Sequence, residues 1–118
     1  MLNQLSKSIY NDNQVQGFWD QERNIGEMLM LVVSELGEAL EAHRNGRLLA
    51  DIPSVPEGEA AFKLFFEEQV KDSFQDEIAD ALIRLLDLCG GLDIDIEYYI
   101  EQKLRYNRTR KRLHGKEY

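Results

Sequence analysis

The chain contains a single cysteine, Cys89, so no disulfide can form within it. A reducing, cytoplasmic setting is the expectation. Proline is almost absent: Pro53 and Pro56 are the only two, so long stretches on either side are free to be helical. No uninterrupted apolar run approaches the roughly 20 residues that a bilayer span requires. The N-terminal MLNQLSKSIYNDNQVQGFWD is too polar for a signal or a span, and no membrane partner is expected. No segment alternates apolar and polar residues between turn signals, which argues against a sheet. Positive charge is also scarce, with 14 Lys and Arg against 22 Asp and Glu and a net charge of −8. A binder of nucleic acid polymers needs a broad positive surface, so that class is set aside. Of the two histidines, His43 and His114, neither follows a glutamate by three residues. This excludes the Glu-x-x-His pairs of a di-iron helical bundle.

What is present is a chain of 118 residues, 43% hydrophobic and 31% charged, enough for one domain with a core. Its charge is divided unevenly. Residues 1–102 carry 7 basic and 21 acidic side chains, and residues 103–118 carry 7 basic and 1 acidic. Four helical segments are expected in a single domain, 1–118. Leu2, Leu5 and Ile9 open a short first helix, and Asn11 to Gly17 reads as a polar loop. The second helix runs from about Asp20, a plausible N-cap, to Asn45, with Gly46 as its stop. Its apolar stripe is Ile25, Leu29, Val32, Leu36 and Leu40. Residues 47–58 hold both prolines and Gly58 and form a loop. The third helix starts near Glu59 and extends to Leu88, with Gly90-Gly91 as its end. Asp93 or Asp95 caps a fourth, which reaches about Leu113. The fold class is therefore all-α, an antiparallel four-helix bundle, with a basic helix end and tail over 103–118.

Two carboxylate pairs lie inside these apolar periods: Glu35-x-x-Glu38 and Glu77-x-x-Asp80. Residues three apart project from one side of a helix, roughly 60° around and about 4.5 Å along its axis. Helical spacing sets Glu35 among Met28, Leu31, Val32, Ala39 and Ala42, with Glu38 at the edge of that patch, while Ser34 and Glu41 point outward. Glu77, Asp80, Arg84 and Asp87 recur along the border of the third helix's apolar face. Asp80 and Arg84 could there form an i, i+4 ion pair on a solvated face. Four carboxylates brought together from two helices would repel one another, and a divalent cation is the simplest way to keep them ionised. Oxygen ligands favour Mg²⁺ or Mn²⁺ over Zn²⁺.

The fourth helix changes character along one face. Ile96, Tyr99 and Ile100 begin an inward stripe that continues through Lys103, Tyr106, Asn107 and Arg110. Lysine and arginine in such positions suit phosphate oxygens, and Asn107 can donate to a phosphate or orient a water. The other reading is a helix that leaves the core and becomes solvated. Trp19, the only tryptophan, could stack on a nucleobase or plug the start of the second helix.

With these residues in place, the chain resembles the MazG-like, all-α nucleoside triphosphate pyrophosphohydrolases. The likeness is carried by Leu31-Val32-Val33-Ser34-Glu35-Leu36-Gly37-Glu38-Ala39 and by Asp76-Glu77-Ile78-Ala79-Asp80-Ala81-Leu82-Ile83-Arg84. A downstream K-x-x-Y-N-x-x-R element is similar to Lys103, Tyr106, Asn107 and Arg110, and His114-Gly115-Lys116 follows. The resemblance spans most of residues 17–116. It implies Mg²⁺ held by Glu35, Glu38, Glu77 and Asp80. It also implies cleavage of a nucleoside triphosphate between the α and β phosphates, and assembly as a homodimer or homotetramer. Glu38 or Glu35 would serve as the catalytic carboxylate, and Lys103, Tyr106, Asn107, Arg110 and Trp19 would bind substrate. The distance from Glu38 to Glu77 exceeds the family's usual spacing. The proline loop and Phe62 to Gln69 supply the excess, which could lengthen a helix, build a lid or reshape the base pocket. Two other readings use the same residues: a non-catalytic helical interaction or regulatory module, with the acids as interhelical salt-bridge partners, and a slow nucleotide-binding sensor.

Overall fold

The computed structural model describes residues 1–117, and all regular structure among them is helical. The helices are α1 (Leu2–Val15), α2 (Ile25–Arg44), α3 (Glu59–Gln69), α4 (Phe74–Gly91) and α5 (Ile96–Arg108), followed by a short 3₁₀ turn, Arg112–Gly115. No helix is long and apolar enough to cross a membrane among the described residues. The chain divides into two compact units, residues 21–85 and residues 1–20 with 86–117, and the division falls inside α4 after Leu85.

In the unit of residues 21–85, α2 begins at Ile25 rather than near Asp20. The Asn24 side chain accepts a hydrogen bond from the Glu27 amide at 3.0 Å, a cap worth about 1 kcal/mol. The helix ends as expected at Gly46, whose φ of +72° a side chain would strain. Its buried face, however, is Met28, Val32, Glu35, Ala39 and Ala42. Of the expected stripe only Val32 is buried, while Ile25, Leu29, Leu36 and Leu40 are 45–50% exposed. The small residues mark the packed side because they allow close approach, whereas the large apolar ones project away from it.

The expected long third helix is two helices, α3 and α4, separated at 70–73. Asp72 adopts a left-handed φ of +63°, and the fully buried Ser73 accepts the Asp76 amide at its hydroxyl, 3.1 Å away. Ser73-x-x-Asp76 is thus the start signal of a new helix. Arg47 fixes this junction from below. Its carbonyl accepts the Phe74 amide at 3.0 Å, and its guanidinium donates to the Lys71 carbonyl at 2.7 Å.

In the unit of residues 1–20 and 86–117, α1 continues through the stretch read as a loop, as far as Val15, and Gly17 at φ +90° turns the chain. Of the apolar residues expected to mark α1, Leu2 and Ile9 are half-buried and Leu5 is exposed, and the polar Asn3, Ser6 and Asn13 share the inward side with Tyr10. Gly90-Gly91 ends α4 as expected, as its last two residues. They serve close packing: a Cβ on Gly90 would lie 2.7 Å from the Ser6 carbonyl oxygen, and one on Gly91 would overlap the Trp19 ring. Asp95 caps α5 by accepting the Tyr98 amide at 3.1 Å. That helix stops at Arg108, short of the expected Leu113: the chain is extended at Lys111, with ψ of 161°, and Leu113 and His114 then take left-handed angles in the 3₁₀ turn. Its expected inward stripe is displaced as well: Tyr99 and Ile100 are exposed, and Ile96, Gln102 and Asn107 are half-buried.

Candidate metal centre

Glu35 sits midway along α2 and Glu77 in the first turn of α4, 8% and 5% exposed respectively. Glu35 takes a place in the helical period that Met28, Val32, Ala39 and Ala42 fill, and Glu77 one between the buried Ser73 and Ala81. Glu35, Glu77 and the half-buried Asp80 each present an oxygen, and those atoms lie within 4.8 Å of one another. Glu38 is exposed and stands outside that three-way group, but its carboxyl is near enough to shift the titration of Glu35 and Glu77. Glu35 of the first pair and both members of the second therefore meet.

The electrostatics of the group are uneven. One basic side chain reaches in: Arg84 Nε donates to Glu35 Oε1 at 2.9 Å. On a solvated face Arg84 would pair with Asp80 along its own helix; it crosses to α2 instead. Burial alone would raise Glu35, but hydrogen bonds from Arg84 and with Glu38 and Glu77 outweigh it and hold the carboxyl below its ordinary range. Among the described residues no basic side chain is paired with Glu77. Burial pushes it up first, then proton sharing with Glu38 and Glu35 and the charges of Glu38 and Asp80, to about 8. Burial also raises Asp80, helped by the charges of Asp76 and Glu35 and opposed by Arg84.

Two oxygens are left over. Glu35 Oε2 and Glu77 Oε2 are buried and have no hydrogen-bond partner. A buried acceptor left unmade costs about 1–3 kcal/mol, more when charged, so a proton or a cation at those oxygens would be stabilising. A proton on Glu77 relieves part of the charge. A hard divalent cation among oxygen ligands relieves more, and the donor set of Glu35, Glu77 and Asp80, with Glu38 beside them, fits one.

Glu77 also belongs to a second group, Asp72, Asp76 and Glu77, whose oxygens again lie within 4.8 Å of one another. Asp76 Oδ2 accepts the Asp72 amide at 2.9 Å. Asp72 and Asp76 are not among the expected ligands: their i, i+4 spacing crosses a helix boundary that no glycine or proline marks. Two cavities open beside these acids. One, of about 310 Å³, touches Glu38, Glu77 and Arg47; the other, of about 710 Å³, touches Asp76, Asp80, Lys71 and the α3 aromatics.

Comparison with protein-family models, curated proteins and solved structures yields no match to this chain. The MazG-like resemblance accordingly rests on the residues and their arrangement alone.

The expected substrate-binding residues lie in the other unit, and three of them cluster there. Lys103 Nζ and Arg110 Cζ stand 5.2 and 5.6 Å from the centre of the Tyr106 ring, a cation–π arrangement. Arg110 keeps this contact although it lies beyond the end of α5. The half-buried Asn107 has a buried side-chain oxygen with no hydrogen-bond partner. Trp19 donates its indole N–H to Asp87 at 2.9 Å and meets Tyr10 edge to face at 5.1 Å. These contacts support the packing reading of Trp19.

Proposed function

We propose that this chain is a divalent-cation-dependent nucleoside triphosphate pyrophosphohydrolase of the MazG-like kind, releasing a nucleoside monophosphate and pyrophosphate. The observation that supports it is the pair of buried, unpartnered oxygens on Glu35 and Glu77, contributed by two helices to one carboxylate group. Glu35, Glu77, Asp80 and Glu38 would hold Mg²⁺ or Mn²⁺. When bound, such an ion offsets phosphate charge and makes a nearby water more acidic. Glu38, exposed and close enough to the buried acids to shift their titration, would accept that water's proton. Arg84 holds Glu35 ionised and oriented. The test is calorimetry with Mg²⁺ and Mn²⁺, followed by a panel of canonical and modified triphosphates with pyrophosphate as the readout. Saturable metal binding that Glu38→Ala weakens, together with turnover of at least one triphosphate, is the expected result. Metal binding that is absent in a folded sample overturns the reading.

One observation favours a second reading. The Arg84–Glu35 ion pair, 2.9 Å long and joining α4 to α2, is what a non-catalytic helical module would use to fix its register. The same calorimetry separates the two, because the module needs no ion.

The assembly proposed is a four-helix-type bundle paired into a homodimer or homotetramer. Ile25, Leu29, Leu36 and Leu40 of α2 are about half exposed, and a second copy would cover them. Light scattering should read a mass of at least twice the 13.7 kDa chain; a monomer at working concentration removes this part of the proposal.

A further inference from the structure

The cavity of about 710 Å³ between α3 and the start of α4 has two unlike walls. On α3, Phe62 and Phe66 share one face at i, i+4 spacing, with ring centres 6.0 Å apart. On α4, Asp76 and Asp80 share one face at the same spacing, and both belong to the carboxylate groups just described. Lys63 and Lys71 also line it. An aromatic surface and a row of carboxylates gain nothing from each other in the absence of a ligand. Phe62 remains 43% exposed, and Lys63 is engaged only by an exposed pair with Glu67 at 4.0 Å, which is readily given up. The volume lies in the range of small-molecule sites, roughly 300–1,000 Å³.

One molecule satisfies both walls at once: an aromatic ring joined to a polyanion that shares a cation with the carboxylates. We propose that Phe62 and Phe66 form the base-recognition wall for the nucleoside triphosphate, with Lys71 and Lys63 gripping its phosphates on the way to Asp80. This rests on the hydrolase reading above and assigns a role to the segment whose extra length sets this chain apart. Stacking on an aromatic side chain is tolerant of base identity, so Phe62 and Phe66 supply affinity for a ring rather than for one base. Every nucleoside triphosphate that enters should gain from them.

The experiment measures calorimetric binding of Mg²⁺-loaded, α,β-nonhydrolysable nucleoside triphosphate analogues and of inorganic tripolyphosphate. Wild-type protein should bind at least one analogue more tightly than tripolyphosphate. Phe62→Ala should weaken that analogue about 10-fold, in line with the loss of one stacking contact, and leave tripolyphosphate within twofold. Phe62→Tyr should retain affinity, and Phe66→Leu should repeat the alanine result in a bulkier background. Lys71→Gln should weaken both ligands alike. Equal affinity of wild type for tripolyphosphate and every analogue overturns the wall, as does an analogue indifferent to Phe62→Ala and Phe66→Leu. In those cases the hydrolase reading stands. Failure of wild type to bind either kind of ligand overturns both.

Discussion

Glu77→Gln is expected to abolish turnover and at the same time to stabilise the metal-free protein at alkaline pH. The two effects share one cause. Glu77 is 5% exposed, lies among three other carboxylates, and is held up to about 8. An acid raised this far contributes stability that is fully present below its ordinary value of about 4.5 and is lost as pH climbs through 8. Asp80, also raised, acts with the same sign. Glu35, held low, acts oppositely, and its share is lost only on acidification below the ordinary carboxylate range. Between pH 5 and 8.5 metal-free wild type should therefore lose on the order of 2 kcal/mol, roughly 5–10 °C in melting temperature. Glutamine copies the protonated acid: its N–H can donate to Glu35 and Glu38 as the carboxyl proton does. The variant should melt at nearly the same temperature across that range, above wild type at pH 8.5. Adding Mg²⁺ should restore wild type at pH 8.5 and leave the variant unmoved. Activity should fall at least about 100-fold, since even partners outside the ligand shell cost 10–100-fold when lost. A wild-type melting temperature that rises from pH 5 to 8.5, or a variant that keeps full turnover, would show that Glu77 does not hold the cluster's excess charge.

The carboxylate cluster could be read from the sequence because helix geometry is rigid. Once Glu35 is assigned to a helix, the spacing of Met28, Val32, Ala39 and Ala42 fixes what surrounds it, and all four are buried. Size was the misleading guide. The isoleucine and leucines of α2 kept a helical period of their own, yet the packed face belongs to the alanines, and periodicity alone cannot say which of two apolar faces is covered. The break between α3 and α4 was missed because no glycine or proline marks it. Its signals are Ser73 three residues before Asp76 and an aspartate in a left-handed turn. The helical register of Glu77 and Asp80 survived that error because they lie three residues apart within one helix. Gly90-Gly91 was legible as the end of α4; its second role, close packing, was not, because Ser6, Tyr10 and Trp19, which occupy the space a side chain would need, lie far away in sequence. The cavity between α3 and α4 was illegible for a simpler reason. It is made by two helices that the sequence presented as one.

Arg84 discriminates between the enzyme and the interaction module more sharply than any carboxylate does. In both readings Arg84→Met removes the partner of a buried acid. Arg84 is itself 37% exposed, so the loss should be below the 3–5 kcal/mol of a fully buried pair, at about 1–2 kcal/mol near neutral pH. Glu35 should then titrate upward toward Glu77, because burial would no longer be opposed by the guanidinium. The readings part when a divalent ion is added. Arg84 is a fixed positive charge bonded to one of the oxygens that would coordinate the ion, so it lowers the cluster's affinity while keeping its apo form ionised. Removing it should tighten Mg²⁺ binding several-fold, on the order of 1 kcal/mol at an effective dielectric near 20, and Mg²⁺ should return most of the lost stability. In an interaction module the same variant is simply weaker, with or without the ion. Melting curves of wild type and Arg84→Met at matched Mg²⁺ concentrations therefore decide the matter. A larger Mg²⁺-induced rise in the variant identifies the carboxylates as ligands, and equal, negligible rises in both identify them as partners for arginine alone.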